Sequence, residues 1–515
     1  MNRLMTRIAS ISLAFLGSSA LAAAPEAVSP DKPPVFKVGF SEKDITPDIG
    51  MEAPGGYGKS YHRTFHDACK VRASVYDDGR TQVAVVGIDA LGVRRETVQK
   101  VRQAVQKRVG IPGDSILIGA SHSHSSGPCN WIVRGDFDHA SPQVQDLAYE
   151  QSTIADVKYL ATVEKALIDA ICEAYDRRVE AEAGVGRGIE DKVAYNRRFL
   201  MKNGRSVTHP GLGNPDIVKP AGPVDPEVGV VGVWDAKNPN KLLGCVVNFS
   251  CHATTSPGGI SANYIYYLEK VIQGYYGKEA VVVFLGGASG DVTQVNNESP
   301  YVNPKAEQWA QLVGGKVGAE ALKVLLTMPR GKLTPLAART KVWSIARRVP
   351  DPERVKASQA MVDGDKSKAD PTDWTFAKET LMLDALLKKE PKVEVEVQAV
   401  QVGPVVFVTD PAEYFCQYGL DIKKGTGFPF TFPVSLANGC VGYVPTEDAF
   451  EEHGGGYETR LTSYSNLEVT AGSQMRDEGI ALAKQLKPGA PPEHVKRPEF
   501  KGKPWGYGDV KPQKK

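Results

Sequence analysis

His122 and His124 stand two residues apart in Ser121-His-Ser-His-Ser-Ser-Gly-Pro128, directly after the apolar run from Ser115 to Ala120. Imidazole is the commonest metal ligand and the one side chain that titrates unaided near neutral pH, so this motif suits a metal or acid–base chemistry. In an extended segment residues two apart share a face, which would turn both rings into one cavity, and Ser-Ser-Gly-Pro would open its mouth. Two solvated histidines on a surface turn have the same spacing. What favours a site is recurrence. The apolar runs Gln82 to Ile88, Leu242 to Phe249, Ala280 to Leu285 and Val405 to Val408 also lead into residues of ligand type: Asp89, His252, Asp291 and Glu413. In α/β proteins the site lies beyond the carboxyl ends of the strands, where several such loops converge. A cluster assembled in this way is expected to be catalytic.

The elements that must position these residues are read from periodicity. Val35 to Phe40 reads as a short strand, and Val71 to Tyr76 with Gln82 to Ile88 as a hairpin around Asp77-Asp78-Gly79. Glu96 to Val109, Ala155 to Arg178, Lys305 to Leu326, much of Arg354 to Lys389 and Met475 to Leu486 have helical spacing. In Ala155 to Arg178, Val157, Leu160, Val163, Leu167 and Ile171 form one side, which is core packing. Lys392 to Val402 alternates as a half-buried strand, Gly403-Pro404 turns it, and Val405 to Val408 returns. The expected fold class is α/β, with mixed sheets flanked by helices and the metal site at the carboxyl ends of strands. No internal repeat is visible.

Composition bounds the function. The 515 residues are 42% hydrophobic and 24% charged, enough for one large core or two to three domains. A net charge of +2, with Lys and Arg scattered, argues against a nucleic-acid partner. Residues 1–23 read as a secretory signal: Asn2-Arg3 and Arg7 supply the positive start, Ile8 to Leu16 the apolar stretch, Ala20-Leu21-Ala22 the cleavage site. The expectation is export to the periplasm or the extracellular medium. Residues 24–34 form a Pro/Ala-rich linker and 491–515 a Pro/Lys-rich tail. No later apolar run approaches the roughly 20 residues that span a bilayer, so no transmembrane segment is expected. The seven cysteines are odd in number and none has CxxC spacing, so neither a zinc knuckle nor a redox motif is indicated.

His122-Ser-His124, Asn248-Phe-Ser-Cys-His252-Ala-Thr-Thr255 and Gly290-Asp291-Val-Thr293, in this order, resemble the amidase domain of the neutral ceramidase family. So do Asp44-Ile-Thr-Pro47 with Gly56-Tyr57, Tyr195-Asn196-Arg197, Pro411-Ala-Glu413, Asn438-Gly-Cys-Val-Gly-Tyr443 and Gly455-Gly456-Tyr457-Glu458. The resemblance spans 35–490, which reads as one catalytic domain. It implies a single zinc held by His122, His252, Glu413 and Tyr443. The first three are ligand types the residues nominate by themselves; Tyr443 rests on the resemblance alone. His124 and Asp291 are assigned to orienting ligands or moving protons, since a ligand imidazole needs its other N–H held and a leaving amine needs a proton. Thr293 would bond substrate or orient Asp291. Tyr457 and Arg197 are candidates for holding the oxyanion or the acyl carbonyl, and Arg197 would serve equally in a structural ion pair.

The implied activity is that of an exported zinc-dependent amidohydrolase, a hydrolase of linear amide bonds that acts on ceramide, a sphingolipid, or on a smaller N-acyl compound. Two departures bear on substrate. The family's ceramidases carry a C-terminal immunoglobulin-like domain where this sequence has a short tail, and the family's Gly-Asp-Val-Ser is here Gly-Asp-Val-Thr293. The first favours a small N-acyl substrate, as do Trp131, Arg134 and Asp136 in the loop after the His-x-His. Two alternatives stand beside this reading. One is another exported metallohydrolase, cleaving an ester or a phosphoester cradled by Gly286-Gly-Ala-Ser-Gly290. The other is a non-catalytic binding protein on the same fold.

Overall fold

Burial with a period of two builds the core. In the hairpin of Lys70–Asp77 and Gln82–Ile88, Val71, Ala73, Val75, Ala84, Val86 and Ile88 face one side, while Tyr76, Val83 and Val85 face the other. Both faces are buried, which is why the strands are almost wholly apolar. The computed structural model describes residues 35–129 and 131–514. The expected signal at 1–23 and the linker at 24–34 lie outside them.

The main sheet has eight strands in the order Val281–Gly286, Asn238–Phe249, Glu227–Asp235, Val179–Ile189, Lys37–Asp44, Lys70–Asp77, Gln82–Ile88, Ile116–Ala120. Read from either edge, the first pair is parallel and the following pairs are antiparallel. Each half runs through three antiparallel strands, crosses over a helix to a parallel edge strand, and closes with a long helix. The crossover helices are Arg95–Val109 and Tyr264–Tyr276, the closing helices Val157–Asp176 and Glu307–Thr327. The topology is therefore duplicated. The sequence shows no repeat because the halves share a burial pattern rather than residues.

The sheet folds over so that its inner faces meet, and Gly87 lies so close to the Phe284 backbone that a Cβ there would overlap it. Helices Arg95–Val109 and Val157–Asp176 cover one outer face, and Tyr264–Tyr276 with Glu307–Thr327 cover the other. A four-stranded sheet, Leu336–Ala346, Lys392–Val402, Val405–Thr409 and Phe430–Val434, adds Val400, Val402, Val405 and Phe407 to the shared inner core. Its other face packs under helices Cys416–Gly425 and Ala471–Lys484. The α/β class with mixed sheets and flanking helices is thus realised.

The helical stretch expected over Arg354 to Lys389 is two helices, Pro352–Asp363 and Pro371–Lys389. Asp351 and Asp370 each cap a helix that has proline in its first turn, so the second cap ends any continuous helix. No helix among the described residues is long and apolar enough to cross a membrane.

Candidate metal centre

The carboxyl ends of two strands and one short parallel pair converge on a single pocket. His122 follows Ile116–Ala120, and the Ser121 and Ser123 amides bond back to the carbonyls of Ile88 and Ala90. The segment is not extended, as the His-x-His spacing suggested, because His122 has φ 61°, in the left-handed region. Both rings still face one cavity, with centroids 4.7 Å apart, but a kink brings them there rather than strand alternation. His252 follows Asn238–Phe249, and its amide bonds to the Val292 carbonyl at 3.1 Å. Glu413–Tyr414 pairs in parallel with Tyr443–Val444, which sets Glu413 directly opposite Tyr443.

Nδ1 of His122 lies 2.8 Å from the Leu91 carbonyl, and Nδ1 of His252 lies 2.7 Å from the Ser289 carbonyl. A carbonyl only accepts, so both Nδ1 atoms carry the hydrogen and, in the neutral rings, both Nε2 atoms present lone pairs, that of His252 also facing Arg197 Nη1 at 3.3 Å. Those lone pairs meet a carboxylate: Oε2 of Glu413 is 3.1 Å from Nε2 of His122 and 3.0 Å from Nε2 of His252. The Tyr443 hydroxyl is 3.5 Å from His252 Nε2, and His124 Nε2 is 3.2 Å from His122 Nε2. Electron-rich atoms this close in a buried pocket repel unless a proton or a metal cation lies between them. Donors about 2.0–2.1 Å from a tetrahedral zinc stand about 3.4 Å apart, close to these separations. The donor set therefore fits a metal ion, and His122, His124 and His252 by themselves have ligand atoms within 4.8 Å of one another.

The electrostatics agree with that fit. Burial, helped by Arg197 and His122, pushes His252 down to about 4, and burial with the neighbouring imidazoles holds His124 well below its usual value. Both are neutral at pH 7, as ligands must be. Burial acts to raise Glu413, yet its carboxylate is held well below the usual range and is ionised at pH 7, as a ligand must be. Arg197 donates to Glu458 at 2.7 Å, to the Gly290 carbonyl at 2.8 Å and to the Tyr443 hydroxyl at 3.0 Å. It is at once in a structural ion pair and beside the cluster. Burial raises Tyr457 to about 12, so its hydroxyl, which donates to that of Tyr57 at 3.4 Å, is neutral at pH 7.

Asp291 does not face the cluster. Its carboxylate accepts from the Cys416 amide at 2.8 Å and from Asn196 at 2.7 Å, tying the segment after Glu413 to the one before Arg197. Thr293 donates to Gln294 at 2.8 Å and lies behind Thr254. Of the loop residues, Trp131 lines the pocket, whereas Asp136 pairs with Arg94 and Arg134 with Glu150 at the surface. Asp89 is bonded to Arg72 in a buried network with Glu269, away from the site. The amides of Gly287, Gly290 and Val292 are bonded to the carbonyls of Phe249, Tyr414 and Ser289, which leaves these three unavailable to a phosphate. The cavity over the cluster measures about 160 Å³. Sequence reasoning missed Tyr464, which donates to Glu413 at 2.8 Å, and the two carbonyls that fix the histidines. A backbone carbonyl leaves no mark in a sequence.

The architecture is that of solved ceramidases. The chain superposes on the neutral ceramidase from Pseudomonas aeruginosa with a TM-score of 0.65 at 17% identity, over 90% of this chain and 77% of that one. It superposes on a structure described as ceramidase complexed with C2 with a TM-score of 0.64 at 16% identity, over 89% and 77%. No protein-family model matches the sequence, and no curated protein matches it by sequence.

Proposed function

We propose that this protein is a zinc-dependent amidohydrolase that cleaves the N-acyl bond of a small amide, with His122, His252, Glu413 and Tyr443 as the zinc ligands. One observation carries the reading: the Nε2 lone pairs of His122 and His252 and Oε2 of Glu413 meet at 3.0 and 3.1 Å, with each Nδ1 hydrogen committed to a carbonyl. A zinc ion bound there would supply a Lewis acid for the amide carbonyl and lower the pKa of a water to about 7.

The chain's residues then have distinct tasks. His124, neutral and beside His122, takes or returns a proton and is not needed as a ligand. Tyr457 and Arg197 stabilise negative charge on the acyl oxygen, Tyr457 from the mouth and Arg197 from beside Tyr443. Asp291 and Thr293 act through other residues. Asp291 locks the Arg197 and Glu413 segments together, and Thr293 backs the Thr254 wall.

The structural neighbours bear the name ceramidase, which makes ceramide one candidate substrate. A cavity of about 160 Å³ favours a smaller N-acyl compound, because an apolar cavity of about 150 Å³ holds one benzene. The signal-like residues 1–23 support export. Ester cleavage is a second reading, since the same oxyanion donors serve it; for a phosphoester, three amides of the glycine-rich loop are already engaged. The test is to assay amide, ester and phosphoester substrates before and after chelation and after zinc is restored. Zinc-restorable amide cleavage is expected. Cleavage indifferent to chelator would overturn the proposal.

A further inference from the structure

Five aromatic side chains close into a ring around the cavity. Tyr57 meets Trp131 at a centroid distance of 5.4 Å, Trp131 meets Tyr464 at 4.7 Å, and Tyr464 meets Tyr443 at 6.1 Å. Tyr443 meets Tyr457 at 5.4 Å, and Tyr457 returns to Tyr57 at 6.3 Å. All five line the same pocket, with Tyr443 buried against His252 and Tyr457 36% exposed at the mouth. Four of the five pairs are close to perpendicular, between 74° and 87°, so ring edges and faces alternate around the opening.

This collar is stiff. Lys378, 1% exposed and 3.2 Å from the buried Glu379, donates to the Tyr57 carbonyl at 2.5 Å, and the Thr153 hydroxyl donates to the Gly58 carbonyl at 2.8 Å in the same loop. Trp131 has a left-handed φ of 74°, and its carbonyl accepts from Arg94. A collar held from outside the pocket selects by size and shape, because it has little freedom to repack.

We infer that the group next to the scissile amide is a single aromatic ring. Alternating edges and faces are the surroundings an aromatic ring pairs with, and a volume of about 160 Å³ accommodates one ring. An alkyl chain would gain burial but no such pairing. A sugar ring would bring several hydroxyls to a wall of aromatic faces and edges, in which the Thr254 hydroxyl is already bonded to Gln294. The inference rests on the amidohydrolase reading and narrows its substrate class.

The zinc-loaded full chain is assayed in two arms. One varies the acyl group on a common amine, benzoyl against hexanoyl. The other varies the amine under a common acetyl group, benzylamine against hexylamine and glucosamine. In one arm kcat/KM for the aromatic member should exceed its partners by about tenfold, and the arm that responds tells which side of the amide the collar holds. Trp131→Ala should lose that preference and Trp131→Phe keep it; Tyr57→Ala repeats the test should Trp131→Ala not fold. Aliphatic members that match the aromatic one in both arms, or a preference that survives in both alanine variants, would overturn the inference. Calorimetric binding of benzamide separates this from the hydrolase reading. If no amide is cleaved yet benzamide binds, and binds about tenfold more weakly to Trp131→Ala, the collar stands and the hydrolase reading falls. No amide cleavage together with no benzamide binding overturns both.

Discussion

At the scale of single residues, each candidate ligand is held by a partner outside the cluster: Leu91 and Ser289 carbonyls fix the histidines, Tyr464 holds Glu413, and Arg197 holds Tyr443. His122→Ala or His252→Ala should therefore reduce zinc content from about one per chain to near none, measured by elemental analysis; full zinc in both variants would sink the assignment. Asp291→Asn should retain the metal and lose on the order of tenfold to a hundredfold in turnover, because it acts through Asn196 and Cys416. A metal-free Asp291→Asn would instead show that the lock it forms is what places Glu413 for the ion. Histidines and carboxylates at strand ends are legible in a sequence because few other tasks need those types there. Tyr464 is not, since a tyrosine between two serines reads equally well as core or surface until its neighbours are known.

At the scale of elements, strands and helices with strong periodicity were visible: the Lys70–Asp77 and Gln82–Ile88 hairpin, the strands before His122 and His252, and the long helices. Val179–Ile189 and Leu336–Ala346 escaped notice, the first diluted by glycine and alanine, the second largely half-exposed and without a clean alternation. The kink at His122 was equally invisible, because its left-handed backbone is imposed by the carbonyls that its neighbours bond. The loop before Tyr57 offers a direct check. Gly55 has φ +100°, and a Cβ there would overlap the His124 ring. Gly55→Ala should cost about 1–3 kcal/mol in denaturant unfolding and displace the His124 resonances in an NMR spectrum. A variant unchanged in both would show that the loop yields freely and that the collar is not stiff.

At the scale of the molecule, the proposed ligands come from three separate parts of the chain: His122 from the first half of the large sheet, His252 from the second, Glu413 and Tyr443 from the region around the four-stranded sheet. A metal that bridges them would bind the folded chain and not the unfolded one. Chelation should then lower the unfolding temperature by several degrees and zinc restore it, with zinc at about 1,000 times its Kd adding about 4 kcal/mol. A melting point indifferent to chelator would mean that the cluster needs no ion. The duplicated topology behind this arrangement has one more consequence, which concerns solubility. Folding the sheet over leaves Ile116–Ala120 and Val281–Gly286 as its two edges, and an open edge invites another chain to pair with it. The segment from Ser435 to Asn438 is hydrogen-bonded to both: Ser435 donates to the Gly286 carbonyl, Ala120 donates to that of Leu436, and Asn438 bonds Ile118 through its amide and its side chain. The strip that follows the four-stranded sheet thus also seals the duplicated sheet against self-association. Ser435→Pro with Asn438→Ala, which removes the Ser435 bond to Gly286 and the Asn438 side-chain bond to Ile118, should raise self-association in a concentration series read by light scattering, and a variant that stays monomeric would show that the edges protect themselves.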